Sequence, residues 1–297
     1  MTGLQGSGSK LSVEQLCRLA EVGRAAFYRR WQDHAPRQEE TALRDQVQRL
    51  CLANRHYGYR RIAALLRREG WQVNHKRVLR LMREDNLLCL RKPMFRPATT
   101  DSRHSWRIWP NLARHLEPME VNQLWVADIT YVRLAEAFVY LAVILDAFSR
   151  KVVGWAMADH LRAELALDAL AMALERRTIV PGALVHHSDR GIQYACGDYI
   201  VRLEAAGILP SMSRTGCPYD NAMAESFMKT LKQEEVNGTN YRDLADATAG
   251  IGSFIEQIYN RQRLHSALAY RSPDEYEEIA PRAAAQQPLA MAASSCP

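Results

Sequence analysis

Apolar positions recur at helical spacing through the first ninety residues and then give way to short, nearly continuous apolar runs. Ser12 and Gln15 fit a capping box, and Leu16, Leu19 and Ala20 follow on one helix face. Val22-Gly23 breaks that pattern, and Arg24 to Trp31 reads as a second short helix. Both a helix-turn-helix and a plain helical hairpin fit these residues. From Tyr57 to Leu88 the pattern is clearer. Tyr59–Glu69 predicts a helix with Ile62, Leu65 and Leu66 inward and Arg60, Arg61, Arg67 and Arg68 around the rest. Gly70 ends it, and Asn74 caps a following helix that buries Val78, Leu81 and Met82. The outer face of that helix carries His75, Lys76, Arg77, Arg80 and Arg83. A recognition helix presents such a face to a phosphate-lined groove; a basic hairpin that touches no bases presents the same one.

Pro93, Pro97, Pro110 and Pro118 then punctuate an aperiodic stretch, 91–120, that reads as a linker. Beyond it, Leu124–Val132, Val139–Leu145 and Val152–Ala158 are β-rich runs with short breaks, which predicts a three-strand meander. The remaining pattern predicts a helix over Ala163–Arg177, a strand over Ala183–His187 and a helix over Tyr194–Ala206. A strand over Ile208–Met212 and helices over Asn221–Glu235 and Gly250–Asn260 follow. This order implies an α/β domain with a mixed sheet, preceded by an α-helical region. Residues 1–10 read as a flexible Gly/Ser-rich segment and 281–297 as a disordered low-complexity tail.

Composition narrows the class. With 297 residues, 47% hydrophobic and 24% charged, the chain fits about two globular domains. The most apolar stretch, Ala137–Leu145, falls well short of the roughly 20 residues of a membrane span. Glu14 and Arg18 interrupt what would be a secretory apolar region, so a cytoplasmic protein is expected. The six cysteines form no CxxC pair and read as free thiols. The formal charge of +6 divides into +12 over 1–118 and −6 over 119–297. A basic half suits a polyanion, and an acidic half suits carboxylate chemistry.

Three acids stand at informative places. Asp128 lies in the first strand, in WVADITYV; Asp189 follows the fourth, in LVHHSDRG; Glu225 lies on the helix that begins near Asn221. Hard oxygen donors converging at one sheet edge suit Mg²⁺ or Mn²⁺, and a pair of ions about 4 Å apart suits phosphoryl transfer. With Glu225 at 0° on its helix, Lys229 falls at about +40° and Lys232 at about −20°, opposite the apolar face of Met223, Phe227 and Leu231.

WVADITYV, LDAFSRKVVGW, HSDRGIQY and YDNAMAESFMKTLKQE together resemble the catalytic core of bacterial insertion-sequence transposases of family three, the OrfB type. Thirty-five residues separate Asp189 from Glu225, as in that family's DDE motif, and Lys232 matches the basic residue seven positions after the glutamate. HYGYRRIAALLRREGWQVNHKRVLRLMRE resembles the helix-turn-helix before that core, and YNRQRLHSALAYRSPDEYE resembles the family's C-terminal end. The resemblance spans roughly residues 11–280. It implies a ribonuclease-H-like integrase core over 121–280, with a C-terminal helical extension, behind a helical DNA-binding region over 11–90. It also implies metal-dependent DNA cleavage and strand transfer at element ends, through 3′-OH attack on a phosphodiester. Asp128, Asp189 and Glu225 would be catalytic and would hold two Mg²⁺ or Mn²⁺ ions, with Asp128 between them, and Lys232 would contact the terminal DNA. Double-stranded DNA, a multimer on paired ends and an upstream-frame (OrfA-type) partner or frameshift fusion are the implied partners; no heptad zipper is visible in this chain. Ala127, Ile192 and the loop residue Cys217 depart from the family's usual residues, and none of them is a metal ligand. A nuclease that only hydrolyses, and a DNA-binding regulator with a vestigial core, are the competing readings.

Further DNA contacts are expected at Lys76, Arg77, Arg80, Arg83, His187, Arg190, Lys229, Arg263 and His265, the last two beside Arg261. His186 and His187 are neighbours on a strand and point to opposite faces, so they do not share an ion; His186 reads as structural. His56, His75, Cys51 and Cys89 lack the spacing of a structural zinc site, and Trp125 and Trp155 read as core residues.

Overall fold

The computed structural model describes residues 12–21, 23–25, 28, 40–89, 107–214 and 221–280. The two terminal segments, most of the Arg24–Trp31 helix and the Cys217 loop lie outside the described residues. The helices are α1 (Val13–Leu19), α2 (Thr41–Ala53), α3 (Tyr59–Arg68) and α4 (His75–Glu84), then α5 (Ala163–Arg176), α6 (Ile192–Ala195) and α7 (Gly197–Ala205). They continue with α8 (Ala222–Glu234), α9 (Leu244–Ser253) and α10 (Pro273–Ile279). The strands are β1 (Leu124–Arg133), β2 (Phe138–Asp146), β3 (Val152–Ala158), β4 (Val185–Ser188) and β5 (Leu209–Met212).

The sheet order is β3-β2-β1-β4-β5. The first three strands form the antiparallel meander, and β4 and β5 join in parallel. Alternation along β1 and β2 divides the core into two layers. Leu124, Val126, Val143 and Leu145 meet Phe227 and Leu231 of α8 and Ile251 of α9 on one face. Trp125, Ala127, Ala142 and Ile144 meet Leu165, Ala169 and Leu170 of α5 and Leu203 of α7 on the other. Gly154 on β3 permits the second layer its closeness: a Cβ there would stand 2.1 Å from the Ala169 carbonyl oxygen. At the outer edge of the sheet, the Asn260 side chain both accepts from Val152 N–H and donates to Val152 C=O, each at 3.0 Å.

In the N-terminal region α2, α3 and α4 share one core of Leu43, Val47, Leu50, Ile62, Leu66, Val78, Leu81 and Met82. Asn74 caps α4 by accepting from Lys76 N–H, and Gly70 takes the left-handed conformation (φ 87°) that ends α3. That core also contains Leu264, from the far end of the chain. The Tyr57 hydroxyl accepts from Leu264 N–H at 3.0 Å, Arg61 Nε donates to Leu264 C=O at 2.9 Å, and Arg68 pairs with Glu275.

Four features differ from the sequence pattern. Helix α2 has no predicted counterpart, whereas α10 lies in the expected C-terminal helical extension. Helix α9 begins at Leu244 and passes into a π-helical turn over Phe254–Tyr259. The helix expected over Tyr194–Ala206 is split by extended backbone at Cys196. Residues 107–120 hold neither helix nor strand, yet Trp109, Ala113 and Leu116 pack on the core and Leu112 N–H donates to Ser211. Cys17, Cys51, Cys89 and Cys196 are outside any disulfide. No helix among the described residues is long and apolar enough to cross a membrane.

Candidate active site

Asp128 shares the sheet face of Leu124 and Val126, the face covered by α8. In the parallel pairing of β1 with β4, Val126 stands beside His187. Carried on by two residues, that register brings Asp128 level with Asp189, which lies one residue past the end of β4. Helix α8 starts over the same point, because the Asn221 side chain donates to the Ala127 carbonyl at 3.2 Å. Glu225 sits in the first turn of α8, exposed, with its apolar face of Ala224, Phe227, Met228 and Leu231 buried against the sheet.

The electrostatics show that these groups meet. Burial, then the negative charges of Asp189 and Glu225, push the Asp128 carboxyl up to about 7; the Ile129 N–H and Lys232 oppose that rise. Ile129 N–H donates to Asp128 Oδ1 at 2.9 Å, and Gly191 N–H donates to Asp189 Oδ1 at 2.8 Å. Lys232 is half-buried, with its ammonium 4.2 Å from the centroid of the Tyr131 ring. Among the described residues no group of three or more His, Cys, Asp or Glu side chains is gathered tightly enough to enclose an ion. Asp128 is within electrostatic reach of both other acids, and the three form no closed coordination shell.

The other predicted contacts divide by burial. Lys76, Arg77, Arg80 and Arg83 are exposed on α4, and Lys229 is exposed on α8. Arg77 and Arg80 both pair with Glu40, and Arg80 also pairs with Glu84, so two of these cations are already partly compensated. Arg190 is half-buried and donates to the Ser213 carbonyl at 2.8 Å. Three expectations need correction. His187 is fully buried, bonded to Ser211, because β4 is an interior strand covered on both faces. Arg263 is 5% exposed and makes a two-pronged pair with Glu234 at 2.9 and 2.8 Å. His265 is 8% exposed. None of the three is displayed on an open surface. His186 is structural, as its strand position implies: its Nε2 meets the Tyr199 hydroxyl at 3.0 Å.

The pattern along the chain did not single out Tyr194. Its buried hydroxyl has no hydrogen-bond partner among the described residues, and the charges of Asp128 and Asp189 help to push its ionisation well up, after burial and Tyr199. The only available signal was its position five residues after Asp189, inside the HSDRGIQY motif.

Comparison with known proteins decides what this arrangement is. The integrase core domain family matches residues 118–218, with a second integrase core match over 206–273, and an HTH-like domain family matches 37–95. The chain is 40% identical over 268 residues to the insertion element IS600 uncharacterized 31 kDa protein of Shigella sonnei, covering 89% of this chain and 97% of that one. It is 34% identical over 279 residues to the transposase InsF for insertion sequence IS3A of Escherichia coli (strain K12), covering 91% and 95%. The chain belongs to the IS3 family of insertion-sequence transposases. The transposase is 38% identical to that of insertion sequence element IS904 of Lactococcus lactis over 75% of its own length and 87% of the relative's. Its fold is an integrase core behind a helix-turn-helix-like region. Among solved structures, a simian T-cell lymphotropic virus intasome chain aligns with 82% of the transposase and 77% of its own length, at 13% identity and a TM-score of 0.48. The transposase is a DDE-type polynucleotidyl transferase, which cleaves DNA and transfers strands at insertion-sequence ends.

Proposed function

We propose that Asp128, Asp189 and Glu225 are the catalytic acids of this strand transfer, and that they hold two Mg²⁺ or Mn²⁺ ions. The observation that carries this reading is the β1–β4 register, which brings Asp128 level with Asp189 beneath the first turn of α8. The donor set fits a hard divalent cation. Three carboxylates supply only oxygen, and a dication would relieve what raises the Asp128 carboxyl, burial first and then the negative charges of Asp189 and Glu225. When bound, such ions activate the attacking oxygen and stabilise the leaving one.

The chain's own groups prepare that chemistry. The Ile129 and Gly191 N–H groups each fix one oxygen of an aspartate and so orient its carboxylate. Lys232, held over Tyr131, adds positive potential beside Asp128 and is assigned to the terminal phosphates. Water attack at an element end releases a 3′-OH. That 3′-OH then attacks a second phosphodiester, exchanging one P–O bond for another without a covalent protein intermediate. Alignment, rather than a nucleophilic side chain, is what the fold contributes.

Residues 11–90 are assigned to DNA capture, with Lys76, Arg77, Arg80 and Arg83 of α4 facing the duplex and 91–120 leading to the catalytic region. Arg190 and Lys229 are assigned to the strand at the active site. We further assign a multimer on paired DNA ends, an upstream-frame partner that completes end recognition, and a cytoplasmic, nucleoid-associated location.

The test is strand transfer with Mg²⁺ or Mn²⁺, using end DNA that carries a free 3′-OH. Asp128→Asn, Asp189→Asn and Glu225→Gln are each expected to abolish joining while duplex binding persists. Full activity in any one of them refutes that ligand assignment; hydrolysis without joining in the wild type would favour a nuclease.

A further inference from the structure

A second cationic site lies on a different flank of α8 from Glu225. Three distant parts of the chain build it. Arg61 comes from α3, Arg150 from the turn between β2 and β3, and Arg263 and His265 from the segment after the π-helical turn. With Ser226 and Thr230 of α8 they line a cavity of about 110 Å³.

Charge is out of balance there. Arg263 is matched by Glu234. Arg61 spends its Nε on the Leu264 carbonyl and lies 5.3 Å from the centre of the Tyr57 ring, with no carboxylate partner among the described residues. Arg150 stands in left-handed backbone (φ 61°) and likewise pairs with no carboxylate among the described residues. Three guanidiniums against one carboxylate leave about two positive charges in a half-enclosed space, which costs free energy unless an anion enters. His265 gives a second, independent sign. It is 8% exposed, lines the cavity, and its Nε2 has no hydrogen-bond partner among the described residues. Burial and the nearby Arg263, Arg61 and Arg150 push its pKa down to about 3, so the ring is neutral and able to present an N–H to an anion.

Size and chemistry select the ligand class. Pockets for whole small molecules run from about 300 Å³ upward, so this one takes a single group rather than a nucleotide. Guanidinium forks with hydroxyl donors suit a tetrahedral oxyanion, and a phosphate group carries one to about two negative charges. We propose that this pocket binds one phosphate group, supplied either by a DNA backbone or by free inorganic phosphate. Occupancy would tie the helical region, the β2–β3 turn and the C-terminal segment to the catalytic helix. The proposal is independent of the acid-triad assignment.

The experiment is equilibrium dialysis of labelled inorganic phosphate with the full chain at constant ionic strength, together with duplex-DNA binding, for the wild type, Arg150→Gln and Thr230→Val. Arg202→Gln, on the exposed face of α7, serves as a surface control. Phosphate affinity should fall about tenfold or more in Arg150→Gln, less in Thr230→Val, and not at all in Arg202→Gln. Arg150→Gln removes a cation that repels two others, so its melting temperature without phosphate should not fall. Phosphate displaced by DNA identifies the backbone as the source, as does a wild type that ignores free phosphate but outbinds Arg150→Gln on DNA. Phosphate and DNA bound together identify free phosphate. Equal phosphate affinity in wild type and Arg150→Gln overturns the proposal. So does a wild type that binds no phosphate and matches Arg150→Gln on DNA.

Discussion

Glu234→Ala removes the carboxylate that faces Arg263, and its effect can be worked from the geometry. The two side chains are 11% and 6% exposed and share two bonds, at 2.9 and 2.8 Å. Water therefore replaces the lost partner poorly. Breaking a buried pair from one side costs about 3–5 kcal/mol, because the remaining charge stays desolvated. Here the stranded Arg263 also lies in the field of Arg61, which puts the expectation at about 4 kcal/mol. That corresponds to a fall in melting temperature of roughly 8–16 °C. Urea unfolding of the wild type, Glu234→Ala, Arg263→Met and the double variant measures it. The double variant should lose less than the two single losses combined, by about 2 kcal/mol or more, because it leaves no orphaned charge. A loss below about 1 kcal/mol in Glu234→Ala would show that solvent reaches and screens the pair, and the reasoning would fail.

Gly154→Ala should cost about 3 kcal/mol, since its Cβ would lie 2.1 Å from the Ala169 carbonyl and 2.8 Å from Ala173 Cβ; an unchanged urea midpoint would contradict that packing. Acid should also weaken the fold. His186 and His265 are both pushed down to about 3, so below the ordinary histidine value of about 6.5 the unfolded chain binds protons that the folded one refuses. Stability is therefore full above that value and is lost as pH falls toward about 3, with about 2 kcal/mol per histidine gone by about pH 5. Asp128, pushed up to about 7, works the opposite way between that value and the ordinary carboxylate range, so the test compares urea midpoints across the window in Asp128→Asn, and a flat profile there would refute it. Lys232→Ala should lower strand joining at least tenfold while shifting the melting temperature little, because its ammonium is only half-buried; unchanged joining kinetics would remove it from the site.

The sheet was legible because its strands announce themselves. Val152–Ala158 has the bounds read from its apolar run, Asp128 falls within a strand, and Asp189 falls just past one, as the pattern along the chain predicts. Helix α2 was not read, although Leu43, Val47, Leu50 and Cys51 follow helical spacing, because Glu40 provides no side-chain cap to mark its start. The split at Cys196 is a backbone feature without a glycine or proline at that position to signal it. His187, Arg263 and His265 differ from the sequence expectation for another reason. A histidine on a four-residue strand gives no sign that both sheet faces are covered, and an arginine's charge suggests solvent until its buried partner is known. Glu234 is twenty-nine positions from Arg263, and only tertiary structure joins them.

The insertion of Leu264 into the helical region's core has a consequence for how the protein is made. Arg61 and the carbonyl it holds are 203 residues apart. At about 5–20 residues per second, a ribosome needs roughly 10–40 s to travel between them. Until then the three N-terminal helices lack one of their interior side chains and the contacts that fasten them to the catalytic half. A nascent or prematurely terminated chain that stops short of Leu264 therefore carries an unfinished helix-turn-helix-like region. The core of the first folded part closes only after the sheet has been synthesised, an order of assembly written into chain connectivity.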